Sequence, residues 1–144
     1  MFTLTSPSSE RTSQRVTRVA LGGVMTLAGI AHLTFARKDF QAQVPNWFPL
    51  DADLTVLGSG VVEIALGLAL LSLPRKRRIV GLALAAFFVA IFPGNIAQYV
   101  QGTSAFGLDT DAKRLLRLFG QPLLVAAALW AAGLPERPRD SPKE

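Results

Sequence analysis

Four long apolar runs, separated by short polar or basic segments, dictate the solvent in which this chain folds. A helix needs about 20 residues to cross the hydrocarbon of a bilayer. The runs, at about 16–36, 54–73, 79–99 and 114–134, each reach that length. In hydrocarbon every backbone amide and carbonyl must be satisfied within the protein, and runs this long achieve it as helices. The expected fold is therefore all-α: a four-transmembrane-helix bundle in the lipid bilayer.

Composition narrows the chemistry. Half of the 144 residues are hydrophobic and 17% are charged, a membrane-protein balance. The absence of cysteine excludes disulfides, thiol redox chemistry and thiolate metal sites, and a single histidine argues against a zinc or haem site built from protein ligands alone. Any redox role needs an external cofactor, whose identity the composition leaves unknown. The net charge of +5 comes from basic residues that flank apolar segments and form no aromatic-interleaved face, which argues against nucleic acid as a partner.

Residues 1–15 read as a disordered tail, 16–134 as the transmembrane domain and 135–144 as a second polar, proline-rich tail. The first run is long for a signal sequence and is followed by Arg37 and Lys38 without a small-residue cleavage site, so it reads as a retained helix. Between the first two spans, "RKDFQAQVPNWFPLDAD" contains Pro45 and Pro49, which forbid a continuous helix, and Trp47 and Phe48, residue types suited to headgroup level. It is expected to lie at the membrane interface, with Asp53 capping the second span. Ten of the fifteen Lys and Arg fall on the side of the termini and "PRKRR", which predicts both termini in the cytoplasm.

Each span carries a polar residue in the half away from the termini. At 1.5 Å per residue, His32 lies roughly 6 Å inside its end of span one, Glu63 roughly 13 Å inside span two, Asn95 roughly 6 Å inside span three and Gln121 roughly 10 Å inside span four. Such groups normally face the bundle interior or a wet cavity, so their shared depth predicts one outward-facing polar pocket. Helical spacing supports it: Gly22, Met25, Gly29, His32 and Ala36 share a face of span one, Gly60, Glu63 and Gly67 a face of span two, and Arg114, Arg117 and Gln121 a face of span four. Pro93 and Pro122 deprive the carbonyls of Val89 and Leu118 of their helical donors, and Gly94 permits bending or unwinding there.

A lone carboxylate at the depth of Glu63 costs about 2.5 kcal/mol or more unless paired or protonated. Glu63 and His32 are thus the candidate proton-handling residues, with Asn95, Gln98, Gln121, Arg117 and Trp47 as candidate ligand contacts. The bland readings stand beside these: the amides serve equally well as interhelical hydrogen-bonding groups, Trp47 as an interface anchor, and Arg114 as a cation snorkelling to headgroups.

The segments "AGIAHLTF", "QVPNWFP", "GSGVVEIALGLALL", "PRKRR" and "FVAIFPGNIAQY" together resemble, in this order, the DoxX-like family of small bacterial integral membrane proteins. The resemblance covers roughly residues 16–133, and His32, Pro45, Pro49, Glu63, Pro93 and Asn95 stand at its motif positions. It implies a multi-pass protein of the bacterial inner (plasma) membrane; some relatives are linked to quinone-coupled sulfur oxidation or redox-stress complexes. The absent cysteines set the chain apart from cysteine-dependent four-helix oxidoreductases. A transporter ranks last, because four helices leave little room for an alternating-access path in one chain and no inverted repeat is visible, and two functions stand ahead of it on the sequence. One is a quinone- or small-molecule-binding redox subunit, whose partners would be a quinone or lipid ligand and a redox protein. The other is a non-catalytic module that assembles or stabilises a partner complex.

Overall fold

The computed structural model describes residues 9–136, and among these the chain is helical without strands. Four helices are long and apolar enough to cross a membrane, the make-up of a multi-pass membrane protein: α1 (Thr12–Leu33), α3 (Ala52–Ser72), α4 (Arg77–Gln101) and α5 (Asp111–Ala131). A five-residue α2 (Arg37–Gln41) lies between the first two, and a single 3-10 turn, Pro74–Lys76, joins α3 to α4. The start of α1, the α3–α4 turn and the end of α5 define the terminal end of the bundle. The loop end carries α2 and the connections at 42–51 and 102–110. Of the expected tails at 1–15 and 135–144, residues 1–8 and 137–144 lie outside the described residues.

Local chemistry sets the boundaries. Helix α1 begins at Thr12, inside the segment predicted to be a tail, because Gln14 is buried and its Oε1 accepts from the Arg11 amide (3.2 Å) and from Arg77 Nη1 (3.2 Å). Helix α3 is capped by Asp51 and not by Asp53: the Asp51 carboxylate accepts from the amides of Asp53 (2.9 Å) and Leu54 (3.1 Å). Asp53, already in the first turn, instead holds Arg37 and Gln41 of α2. Thr110 Oγ1 caps α5 at the Lys113 amide (3.3 Å). Helix α4 closes on Gly102 at φ 64°, a left-handed conformation that glycine adopts without steric penalty. Neither Pro93 nor Pro122 breaks its helix; both α4 and α5 run through, so Gly94 does not unwind.

The helices associate as two close pairs. In α1–α3, glycines allow backbones to touch: a Cβ on Gly29 would lie 2.6 Å from the Gly60 carbonyl oxygen, and one on Gly67 2.7 Å from the Thr26 amide nitrogen. In α4–α5, a Cβ on Gly81 would lie 2.9 Å from the Ala128 carbonyl oxygen. Between the pairs, Leu21, Met25, Leu70, Leu84, Phe88 and Ala128 form the hydrophobic core. This core fills the bundle from the terminal end to about mid-helix, where Leu21, Met25 and Phe88 become the floor of a hollow that occupies the loop side.

The terminal end also buries a polar cluster that sequence reading missed. Pro74 has no amide hydrogen, so the carbonyl of Leu70, four residues earlier, lacks its helical donor. Arg18 supplies one: its Nη1 donates to the Leu70 oxygen at 2.5 Å while its Nε donates to Glu10 Oε1 at 2.7 Å. The signal was present as an arginine four residues before Gly22 on the buried stripe of α1 and a proline four residues after Leu70.

Candidate functional site

The hollow half is a cavity of about 790 Å³ lined by all four long helices and by the α2–loop segment. The sequence-predicted residues His32, Glu63, Asn95, Arg117, Gln121 and Trp47 all line it, whereas Gln98 stands outside its wall. Their convergence follows from the stripes. Gly22, Met25, Gly29, His32 and Ala36 are all buried, as are Gly60, Glu63 and Gly67, so the glycines that bring α1 against α3 also bring His32 to Glu63.

His32 Nδ1 lies 2.8 Å from the Ala28 carbonyl oxygen and 2.9 Å from Glu63 Oε2. Both neighbours are oxygens, so a hydrogen on Nδ1 satisfies the carbonyl directly. Glu63 Oε2 stands off the N–H axis: it makes a close electrostatic contact but has no hydrogen bond. The pair is buried, with side-chain exposures of 8% and 6%. Phe40 of α2 stacks on the imidazole, with centroids 3.3 Å apart and planes 15° apart, and so fixes the ring against the carboxylate.

On the opposite wall, Arg117 donates through Nη1 to Gln98 Oε1 (3.1 Å) and through Nη2 to Gln43 Oε1 (3.0 Å), and its guanidinium sits 5.7 Å from the centre of the Phe106 ring. Among the described residues no carboxylate lies within ion-pairing distance of it, so its charge meets only neutral amides and an aromatic face. Gln43 Nε2 is buried in the cavity wall without a partner. The cavity therefore presents Glu63 Oε2, in contact with His32 but without a hydrogen bond, and Gln43 Nε2, a donor without a partner, on the amide that Arg117 holds.

The remaining predicted contacts have structural partners. Asn95 Nδ2 donates to Gln121 Oε1 (3.0 Å), and Gln121 Nε2 donates to the Phe88 carbonyl (2.7 Å), tying α4 to α5. The carbonyl served is Phe88, one residue before the Val89 expected from Pro93. Gln98 positions Arg117 and donates to the Thr103 carbonyl (3.2 Å). Arg114 does not snorkel: it is buried and donates to the carbonyls of Gly102 (2.9 Å) and Thr103 (3.2 Å), closing the end of α4. Trp47 is 68% exposed at the rim, edge-on to Phe48.

Phe40 and Gln43 were not singled out from sequence. They reach the site because the Arg37–Asp53 ion pair and the Gln41–Asp53 hydrogen bond hold α2 against the start of α3. The loop is thus the roof of the cavity as well as a candidate interfacial segment.

Residues 21–132 match the family described as Domain of unknown function (DUF8561), and the chain belongs to that family. Comparison with curated proteins and with solved structures gave no match.

Proposed function

We propose that this protein binds a small oxygen-bearing molecule in its loop-end cavity and serves as a quinone- or small-molecule-binding redox subunit of the bacterial inner membrane, with both termini cytoplasmic. The observation that carries the reading is a pair of buried polar atoms without hydrogen bonds, Glu63 Oε2 and Gln43 Nε2, on residues that line one cavity. Leaving such atoms unsatisfied costs about 1–3 kcal/mol each, and a ligand that offers a donor to one and an acceptor to the other removes that cost. The DoxX-like resemblance of the His32, Glu63 and Asn95 segments and the basic bias toward the terminal side support the same assignment.

In this role Arg117 and Gln43 hold a carbonyl oxygen, and Glu63 with His32 handles protons at the other side of the ligand head. For a quinone, a redox protein partner supplies two electrons and the Glu63–His32 side passes two protons from water, giving the quinol. The chain itself contributes binding, orientation and proton transfer.

The test is purification in mild detergent followed by extraction and mass spectrometry of retained small molecules from wild type, Glu63→Gln and His32→Ala. A quinone or lipid held by wild type and lost by both folded variants is the expected result. A wild type that retains no small molecule, while a protein partner persists in all three preparations, overturns this reading in favour of an assembly module.

A further inference from the structure

We infer that the ligand is a single-tailed amphiphile taken from the bilayer, its polar head beneath the α2–loop roof and its aliphatic tail leaving sideways between α1 and α5. This rests on the proposed binding role of the cavity and adds the ligand's class and its route.

The charged and ionisable groups of the cavity, Glu63, His32 and Arg117, are gathered with Gln43 toward its loop end, while the amides of Asn95 and Gln121 are spent on each other and on the Phe88 carbonyl. Deeper, the wall becomes apolar, with Leu21, Met25, Phe88 and Ile91. A compact aqueous solute would fill only the upper part and leave the deeper apolar volume without contacts. A molecule with a polar head and a hydrocarbon tail matches both parts.

The side of the cavity is open at hydrocarbon depth. Val24 on α1 lines the cavity yet is 59% exposed, and Leu123 on α5 lines it yet is 71% exposed. Val24 lies roughly 13 Å from the loop end of α1, and Leu123 roughly 18 Å from the loop end of α5, which places both within the hydrocarbon of a bilayer. Gly120, one turn before Leu123 on α5, also lines the cavity, and an added Cβ there would meet nothing within 4 Å. The α1–α5 side of the cavity is therefore bounded by residues that both line it and are exposed, and Gly120 places no side chain there. From the loop side, Phe40, Pro45 and Phe48 roof the polar end. A tail has a path through the seam that does not require the roof to move.

The experiment places the full chain in vesicles of phosphatidylethanolamine and phosphatidylglycerol doped with palmitate bearing a mid-chain diazirine. After irradiation the labelled residues are located by mass spectrometry. Met25 and Phe88 are shielded within the bundle at 4% and 3% exposure, whereas Leu116 and Phe119 face outward at 72% and 66%. The expected result is label on all four in wild type, and loss of label from Met25 and Phe88 alone in Gly120→Leu combined with Val24→Phe. Gly120 has room for the larger side chain, and label on Leu116 and Phe119 reports that the plugged variant remains folded in the bilayer.

Absence of label at Met25 and Phe88 in wild type, or equal label there after plugging, overturns the lateral route. The same labelling in Glu63→Gln separates the two readings. Label that falls there supports a head anchored at Glu63. Label that persists upholds the lateral route and overturns the head assignment.

Discussion

Replacing Arg18 with leucine should show how much of the terminal end rests on one charged side chain reaching a proline-orphaned carbonyl. The substitution removes the donor at 2.5 Å from the Leu70 oxygen and leaves that acceptor buried, since Leu70 has no exposed surface and residue 74 has no amide hydrogen. A hydrogen bond from a charged donor contributes about 1.5–3 kcal/mol, and the partly exposed Glu10 pair adds less than about 1 kcal/mol. The expected loss is about 2–4 kcal/mol, read from unfolding in mixed micelles titrated with denaturing detergent. Adding Pro74→Ala supplies an amide at residue 74 and relaxes the restriction on Leu73, so α3 can extend and donate to Leu70 itself. The double variant should regain about 1 kcal/mol relative to Arg18→Leu. If it is no more stable than the single variant, the orphaned carbonyl is not what Arg18 serves and the reasoning fails.

Gly29→Leu should separate α1 from α3, because its Cβ alone would stand 2.6 Å from a backbone oxygen; a loss of about 1–3 kcal/mol or more is expected in the same titration, with Gly58→Leu, where the space is open, as the neutral control. Asp51→Ala removes the cap of α3 and should cost about 1 kcal/mol, whereas Asp53→Ala should loosen α2 and raise hydrogen exchange at residues 37–43 without fraying α3. The Glu10 carboxyl is held below its ordinary range chiefly by its hydrogen bond with Arg18. A folded value below the unfolded one means that this pair stabilises the protein above the unfolded carboxylate range and loses its contribution as pH falls through the folded value. Thermal midpoints of wild type and Glu10→Gln should therefore converge on acidification, and parallel curves would refute the pairing.

The stripes were legible because small residues at helical spacing have one use in a membrane: they let backbones approach. Once Gly29 meets Gly60 and Gly67 meets Thr26, His32 and Glu63 have no other place to point. The roof was not legible, because a five-residue helix has too few positions to show a period, and what folds α2 inward is an ion pair between residues sixteen apart in sequence. Arg114 and Arg18 escaped for a related reason. Each serves backbone carbonyls, and carbonyls are invisible to any reading of side-chain pattern unless a proline or a glycine marks where one has been freed. At Pro93 that mark was read, but the bonded carbonyl is one residue away, because the donor comes from Gln121 across the helix interface.

The uneven distribution of the core gives the molecule a mechanical character. The two helix pairs are fastened where Leu21, Leu70, Leu84 and Ala128 meet, and at the far end the span between them is bridged by Gln43 with Arg117 and by Phe40 with Phe106. Such an arrangement works like a pair of tongs with its pivot at the terminal end of the bundle and its jaws at the loop end. With few packed contacts across the jaws, local opening at that end costs less than separating the packed end.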